Sequence, residues 1–280
     1  MRRIPTLSAA LLAAAIILAG TGCNFLKSRD HINQGIASYR NAKYGDAVDH
    51  FEKAIQLDPN NTNPRMYLAT AYMVQWIPGA ESPENLEYAR KAKEEFLKVL
   101  DKDPKEKTAL AYLATLAFNQ ALSLPLEEKL KMFDEAAMWQ HRRLEVDPKE
   151  KEAYYTLGVI AYQKTHPGLM VARADLRMRP EDPGPLKDKK VKAQLEMQYG
   201  AMVDEGMQNL NKALEIDPEY DDAMVYLELL IRERADLLDG SDEYKKQMDV
   251  ADAWLQKALD TKKIKAARAA KQPNGIHAEN

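Results

Sequence analysis

The sequence predicts an all-α protein assembled from repeated pairs of helices. The dipeptide Asp-Pro closes four charged amphipathic segments, ending at Pro59, Pro104, Pro148 and Pro218. Proline stops a helix because it has no amide proton and its ring clashes with the preceding turn. Alanine, leucine, lysine and glutamate are abundant, whereas β-branched runs with a period of two residues are hard to find. These observations favour a helical repeat protein that binds rather than catalyses.

Composition and cysteine usage narrow the possible functions. The 280 residues are 45% hydrophobic and 30% charged, with a formal net charge of -3, which gives no general reason to expect nucleic acid as a partner. The single cysteine, Cys23, excludes an internal disulfide framework and a thiolate metal cluster. The five histidines lack metal-ligand spacing, and no phosphate loop or nucleophile elbow is present. We therefore predict no enzyme activity, no metal and no cofactor.

The N-terminus has the layout of a secretory signal. Two arginines follow Met1, an apolar run extends from Leu7 to Ala19, and small residues lead to Cys23. This ending resembles a bacterial lipobox, although Gly20 stands where leucine is commonest. The resemblance implies that residues 1–22 form a lipoprotein signal peptide and that the Cys23 sulfur is lipidated. An ordinary signal peptide with a free cysteine and an uncleaved anchor are the alternatives.

The body after Cys23 begins with a predicted tether at residues 23–30. Asn24 rather than aspartate follows the cysteine, which by resemblance to enterobacterial sorting rules favours the outer membrane, facing the periplasm. A lipid anchor of this kind would hold the protein at a membrane surface without a spanning helix.

One helix supplies the template for the repeats. In Tyr44–Pro59, Ala47, Phe51 and Ala54 form a narrow stripe at helical spacing. After each Asp-Pro a second, more apolar helix begins. The stripe returns at corresponding positions downstream: Ala92, Phe96 and Val99; Gly206, Leu210 and Ala213; and Ala251, Leu255 and Ala258.

This pattern resembles the tetratricopeptide repeat (TPR) family, in which about 34 residues form a helix–turn–helix. The residues that carry the resemblance are Gly35, Tyr44, Ala47, Phe51, Ala54 and Pro59 in the first unit, and Gly158, Gly206, Ala213 and Pro218 in the fourth. The resemblance implies a right-handed α-α superhelix, a solenoid of about five helix pairs over residues 31–262. The predicted units are 28–61, 62–106, 107–150, 151–220 and 221–261, followed by a tail at 263–280. Within the tail, Lys262–Lys271 is predicted as a basic helix end and Gln272–Asn280 as disordered.

Insertions at the turns within the later helix pairs distinguish the units. The longest runs from Thr165 to Leu186 and contains two proline clusters. Between the clusters we predict a separate short helix, Leu169–Met178, with Arg173 and Arg177 on one face. A single long helix is predicted from Lys187 to Ile216.

The predicted binding surface is the concave face, which the first helix of each pair lines in TPR proteins. Packing positions are predicted at Leu68, Ala69, Tyr72, Leu113, Ala114, Leu157, Gly158 and Ala161. Groove positions are predicted at Tyr39, Arg40, Tyr67, Thr70, Met73, Tyr112, Thr115, Phe118, Asn119, Tyr155, Tyr162 and Gln163. Tyrosine, with its apolar body and polar tip, suits an extended peptide segment. The alternative is that these aromatic residues fill the space between helices.

The sequence leaves three hypotheses for function. The first is a scaffold or assembly factor in the bacterial cell envelope that binds a protein partner in the groove. The second is capture of a peptide or glycan for a transport system, although the three tryptophans lie outside the groove positions. The third is an enzyme with His166 and Asp175 in its site. For Arg173, Arg177 and Arg179 the alternatives are a structural lid, a partner-docking arm and a patch for anionic lipid.

Overall fold

The computed structural model describes residues 6–271, with side chains from Cys23 onward. Within those residues every regular element is helical, which confirms the all-α prediction. The helices are α1 (Thr6–Arg40), α2 (Tyr44–Leu57), α3 (Asn63–Gln75), α4 (Pro83–Lys102), α5 (Lys107–Leu122), α6 (Leu126–Val146), α7 (Lys151–Asp175), α8 (Lys189–Leu195), α9 (Ala201–Ile216), α10 (Asp221–Asp236) and α11 (Ser241–Lys271). A π-helical turn, Glu196–Gly200, joins α8 to α9.

The chain divides into two compact units, with the boundary inside α6 between Met132 and Phe133. In the first unit, α1 packs on α2, α2 on α3, α3 on α4 and α4 on α5. The template stripe is its core, since Ala47 and Ala54 are fully buried and Phe51 nearly so. Gly35 of α1 makes the close approach possible, because a Cβ atom there would lie 2.5 Å from Cε1 of Phe51.

The second unit repeats this packing with other residues. Helix α9 lies between α7 and α10, and α10 packs on α11. The Leu210 side chain occupies the space beside Gly158 of α7, so a Cβ atom at that glycine would clash with it. Leu210 and Ala213, which the sequence alignment equates with Phe51 and Ala54, are likewise fully buried.

All eight predicted packing residues are buried, from Leu68 to Ala161. The repeat pattern therefore identified buried residues on α3, α5 and α7, in both units.

The structure corrects the predicted tether. Residues 23–30 belong to α1, and the Ser28 side chain is buried against α2. Its hydroxyl donates a hydrogen bond of 2.9 Å to the carbonyl oxygen of Ala54. The segment is helical because it packs on α2 and because serine can satisfy its polar atom there.

The structure tests only part of the predictions made for the two ends of the chain. The side chains of the predicted signal peptide, residues 1–22, lie outside the described residues, as do residues 272–280 of the tail. Residues 263–271 continue α11 as an exposed helix end, which agrees with the predicted basic helix end. Among the described residues, none of the helices is both long and apolar enough to cross a membrane.

The prediction of a separate helix between the two proline clusters is wrong. Helix α7 continues through Pro167 to Asp175, so Leu169–Met178 is not a separate helix. Tertiary packing outweighs the lost backbone hydrogen bond: Gly168 lies directly against the ring of Tyr199, and Leu169 is buried in a cluster with Leu186. The predicted long helix after the insertion is present as α8, the π turn and α9 in succession, beginning after the capping residue Asp188.

Candidate binding groove

A groove in the first unit brings together five of the predicted residues. It encloses about 560 Å³ on the faces of α1, α3 and α5. We call it the tyrosine groove, and its predicted members are Tyr39, Arg40, Tyr67, Thr70 and Tyr112. Residues separated by more than 70 positions in the chain thus line one cavity, as the repeat pattern implied.

Buried phenylalanines fix two of the groove's tyrosine rings. Tyr67 stacks on Phe51 with ring centroids 5.5 Å apart, and Tyr112 stacks on Phe96 at 5.0 Å. Both phenylalanines hold the same place in the repeat, and each tyrosine follows its phenylalanine by sixteen residues. Because the rings are already held in place, a ligand loses little side-chain entropy when it binds them.

The groove is neutral apart from one cation. Arg40, exposed at the end of α1, is the charged residue among those that line it. Burial raises the pKa of Tyr39, with a smaller contribution from the neighbouring Tyr112, so the hydroxyl stays protonated and can donate or accept. This combination suits a peptide backbone with a carboxylate near Arg40.

Other predicted groove residues lie elsewhere. Met73 packs against the buried cluster of Trp76, Ala89 and Leu116, and therefore serves the core. Thr115 is exposed and its hydroxyl donates to the carbonyl of Ala111. The remaining ones are half-buried residues that do not line the groove: Phe118, Asn119 and Gln163.

In the second unit the predicted tyrosines pack against other aromatic rings. Tyr155 contacts Tyr220 and Tyr226, with ring centroids 5.0 and 5.7 Å apart, and burial raises its pKa. This favours core packing for Tyr155. Tyr162 stacks on His166 at 4.7 Å and lines a second cavity beside the 165–186 insertion.

The structure corrects the expectation that Arg173 and Arg177 lie on one face of a short helix, because α7 ends at Asp175, before Arg177. The Arg173 side chain is 5% exposed, and its Nη1 atom lies 2.5 Å from Oδ2 of Asp236. Its Nη2 atom donates to the backbone carbonyls of Arg179 and Asp182, which fastens the insertion to α10. Arg177 is exposed with φ of 56°, and Arg179 is exposed and paired with Asp182. The contacts of Arg173 favour the structural lid.

The residues around His166 include two carboxylates that the sequence did not single out. His166 Nδ1 lies 3.0 Å from Oε1 of Glu233, and the buried Thr165 hydroxyl donates to Oε2 of Glu233 at 2.6 Å. Burial raises the pKa of both Glu233 and Asp236. Asp175 is exposed and does not line this cavity. Among the described residues, no group of three or more histidine, cysteine or acidic side chains could hold a metal ion.

The stacked helix pairs define a helical-repeat fold, and the tyrosine groove is its candidate binding site. Residues 28–61 match the family model described as Tetratricopeptide repeat. This part of the chain therefore matches a tetratricopeptide repeat, where the sequence predicted the first unit.

Solved structures with a similar fold include proteins named MamA. One, the MamA RS-1 ArsTM double mutant, is 15% identical with a TM-score of 0.56, covering 86% of this chain and 97% of that one. Another, MamA 41-end from Desulfovibrio magneticus RS-1, is 16% identical with a TM-score of 0.54, covering 85% and 96%. A third MamA structure is 16% identical with a TM-score of 0.51, covering 86% and 94%. At this identity the likeness shows the fold. No match was found among curated proteins.

Proposed function

We propose that this protein is an interaction scaffold that binds an extended segment of a partner protein in the tyrosine groove. The observation that carries the proposal is the pair of tyrosines, Tyr67 and Tyr112, held in place by buried phenylalanines and facing one cavity. Tyrosine and arginine are the side chains most often responsible for binding energy at protein interfaces. The partner segment carries a carboxylate that reaches Arg40.

The scaffold acts in the bacterial cell envelope, as an assembly factor tethered through lipid on Cys23 to the outer membrane and facing the periplasm. Besides the sequence of residues 1–22, one feature supports this: Cys23 is exposed, and the neighbouring Phe25 and Leu26 are exposed apolar side chains. Such side chains suit the interface beside acyl chains.

Capture of a glycan is the weaker candidate. Sugar rings stack best on tryptophan, yet the three tryptophans lie outside the tyrosine groove. Trp76 and Trp139 are buried, and Trp254 is half-buried on α11.

Tyr67→Ala combined with Arg40→Glu is expected to reduce crosslinking of the partner in intact cells by about a hundredfold, since each anchor is worth about tenfold or more. Both side chains are exposed, so the fold should survive. The measurement is crosslinking followed by pull-down from detergent-solubilised envelope. The control is Tyr88→Ala with Lys53→Glu, which likewise removes a tyrosine and reverses the charge of a basic residue, but outside the groove. Equal recovery of the partner by both double variants would contradict the groove as the site.

Cys23→Ser tests the anchor separately. We expect it to abolish incorporation of radiolabelled palmitate and to move the protein from the membrane pellet to the soluble fraction, because one residue carries the acyl chains. A variant that still pellets and still incorporates label would refute lipidation at Cys23, while leaving the groove untouched.

A further inference from the structure

The second unit contains its own cavity, separate in residues from the tyrosine groove. We call it the insertion pocket: it encloses about 570 Å³ between α7, α10, α11 and the insertion residues Pro180–Pro183. Its size lies in the range of small-ligand sites. The insertion forms one wall, and Arg173 holds that wall in place through the carbonyl contacts described above.

Negative charge exceeds positive charge in this pocket. Four carboxylates and two guanidinium groups line it. Both guanidinium groups are already paired: Arg173 with Asp236 at 2.5 Å, and Arg232 with Asp252 at 2.5 Å and with Glu228. The positive charges of both arginines are therefore paired with carboxylates other than Glu233.

Glu233 is the carboxylate that lacks a permanent cation. Its side chain is 5% exposed, and its contacts are the Thr165 hydroxyl and the ring of His166. Unlike lysine and arginine, histidine does not carry a permanent positive charge. A buried carboxylate without a full counter-charge favours binding of a cation.

The remaining walls are apolar and aromatic. Tyr162 stacked on His166 forms one side, and Met170, Met248 and Tyr244 complete the cavity. Such walls suit the methylene stem of a long basic side chain, and aromatic faces attract cations. Nε of Arg173 is buried without a hydrogen-bond partner among the described residues.

We propose that the insertion pocket binds a lysine or arginine side chain presented by a partner peptide. The stem lies between Tyr162 and the two methionines, and the cationic end reaches Glu233. This site is chemically opposite to the tyrosine groove, which offers a cation rather than carboxylates, and it does not depend on that groove.

The test uses the full chain labelled with ¹³C at the methionine methyl groups and titrated with three capped heptapeptides of serine and glycine. Their central residue is lysine, arginine or norleucine. Norleucine keeps the apolar stem of lysine and lacks the ammonium group. We expect the lysine and arginine peptides to shift the methyl signals of Met170 and Met248, and the norleucine peptide to bind about tenfold more weakly or worse. n-Butylamine, a free cation, should bind more weakly than either basic peptide.

Glu233→Gln should lower the affinity for the lysine peptide by about tenfold or more, because the amide keeps the shape without the charge. Glu181→Lys reverses an exposed charge at the mouth and tests the same point in a variant that cannot disturb the core. Glu215→Lys, exposed and outside the pocket, is the control for both. Equal binding of the norleucine and lysine peptides, tighter binding of butylamine than of peptide, no methyl shifts, or no effect of Glu181→Lys would overturn the proposal.

Discussion

Replacing Arg173 by methionine is expected to destabilise the second unit by about 3–5 kcal/mol. The guanidinium and its partner carboxylate are both buried, with side chains 5% and 10% exposed. Burial already raises the pKa of Asp236, which means that its charged form is poorly solvated. Without Arg173 the carboxylate is left as an uncompensated buried charge, and the carbonyls of Arg179 and Asp182 lose the donor that holds the insertion to α7.

The double variant Arg173→Met with Asp236→Leu separates these causes. It removes both charges, so we expect it to be more stable than the single variant, since apolar replacement of a whole buried pair is often neutral. Unfolding is followed by fluorescence of Trp139 and Trp254 in a Trp76→Phe background, with Arg179→Met as the exposed control. Equal stability of the single and double variants would contradict the argument.

The pH dependence of the single variant gives an independent check. Asp236 has a folded-state pKa above its unfolded value, so its ionisation costs stability at pH above the unfolded pKa. As the pH falls toward the folded pKa the carboxyl protonates in the native state. The difference in the free energy of unfolding between Arg173→Met and the unmodified protein should therefore become smaller at lower pH.

The sequence was informative wherever a position repeats. The stripe of Ala47, Phe51 and Ala54 predicted buried residues in both units, because packing of helix pairs imposes the same spacing in each copy. The same regularity located Tyr67 and Tyr112, which follow equivalent phenylalanines. Repetition turns a weak local pattern into a three-dimensional prediction.

Positions that do not repeat could not be predicted in this way. Pro167 predicted a helix end, yet long-range contacts of Gly168 and Leu169 keep α7 continuous. The burial of Arg173 was not predicted, because its partner, Asp236, lies 63 residues later in an ordinary amphipathic helix. Nothing local marks that pairing, and it becomes visible only when α7 and α10 are packed together.

The expected effect of Phe51→Ala is a loss of about 3–5 kcal/mol from the stability of the first unit. Phe51 is 1% exposed, packs against Gly35 and forms the floor beneath Tyr67. We therefore expect the same change to weaken peptide binding in the tyrosine groove. Trp76, buried in the first unit, provides the fluorescence signal for its unfolding.

The effect of Gly35→Ala on stability should change sign between the unmodified protein and the Phe51→Ala variant. In the unmodified protein the new Cβ atom would lie 2.5 Å from the Phe51 ring, and overpacking of this kind costs about 1–3 kcal/mol. In the Phe51→Ala background the ring is gone, so the methyl group partly fills the cavity, and alanine gains about 1 kcal/mol in helix propensity. Gly45→Ala is the control, because a Cβ atom there meets nothing within 4 Å. If Gly35→Ala lowered the stability equally in both backgrounds, contact with the Phe51 ring would not be the reason for a glycine at position 35. That result would contradict the argument.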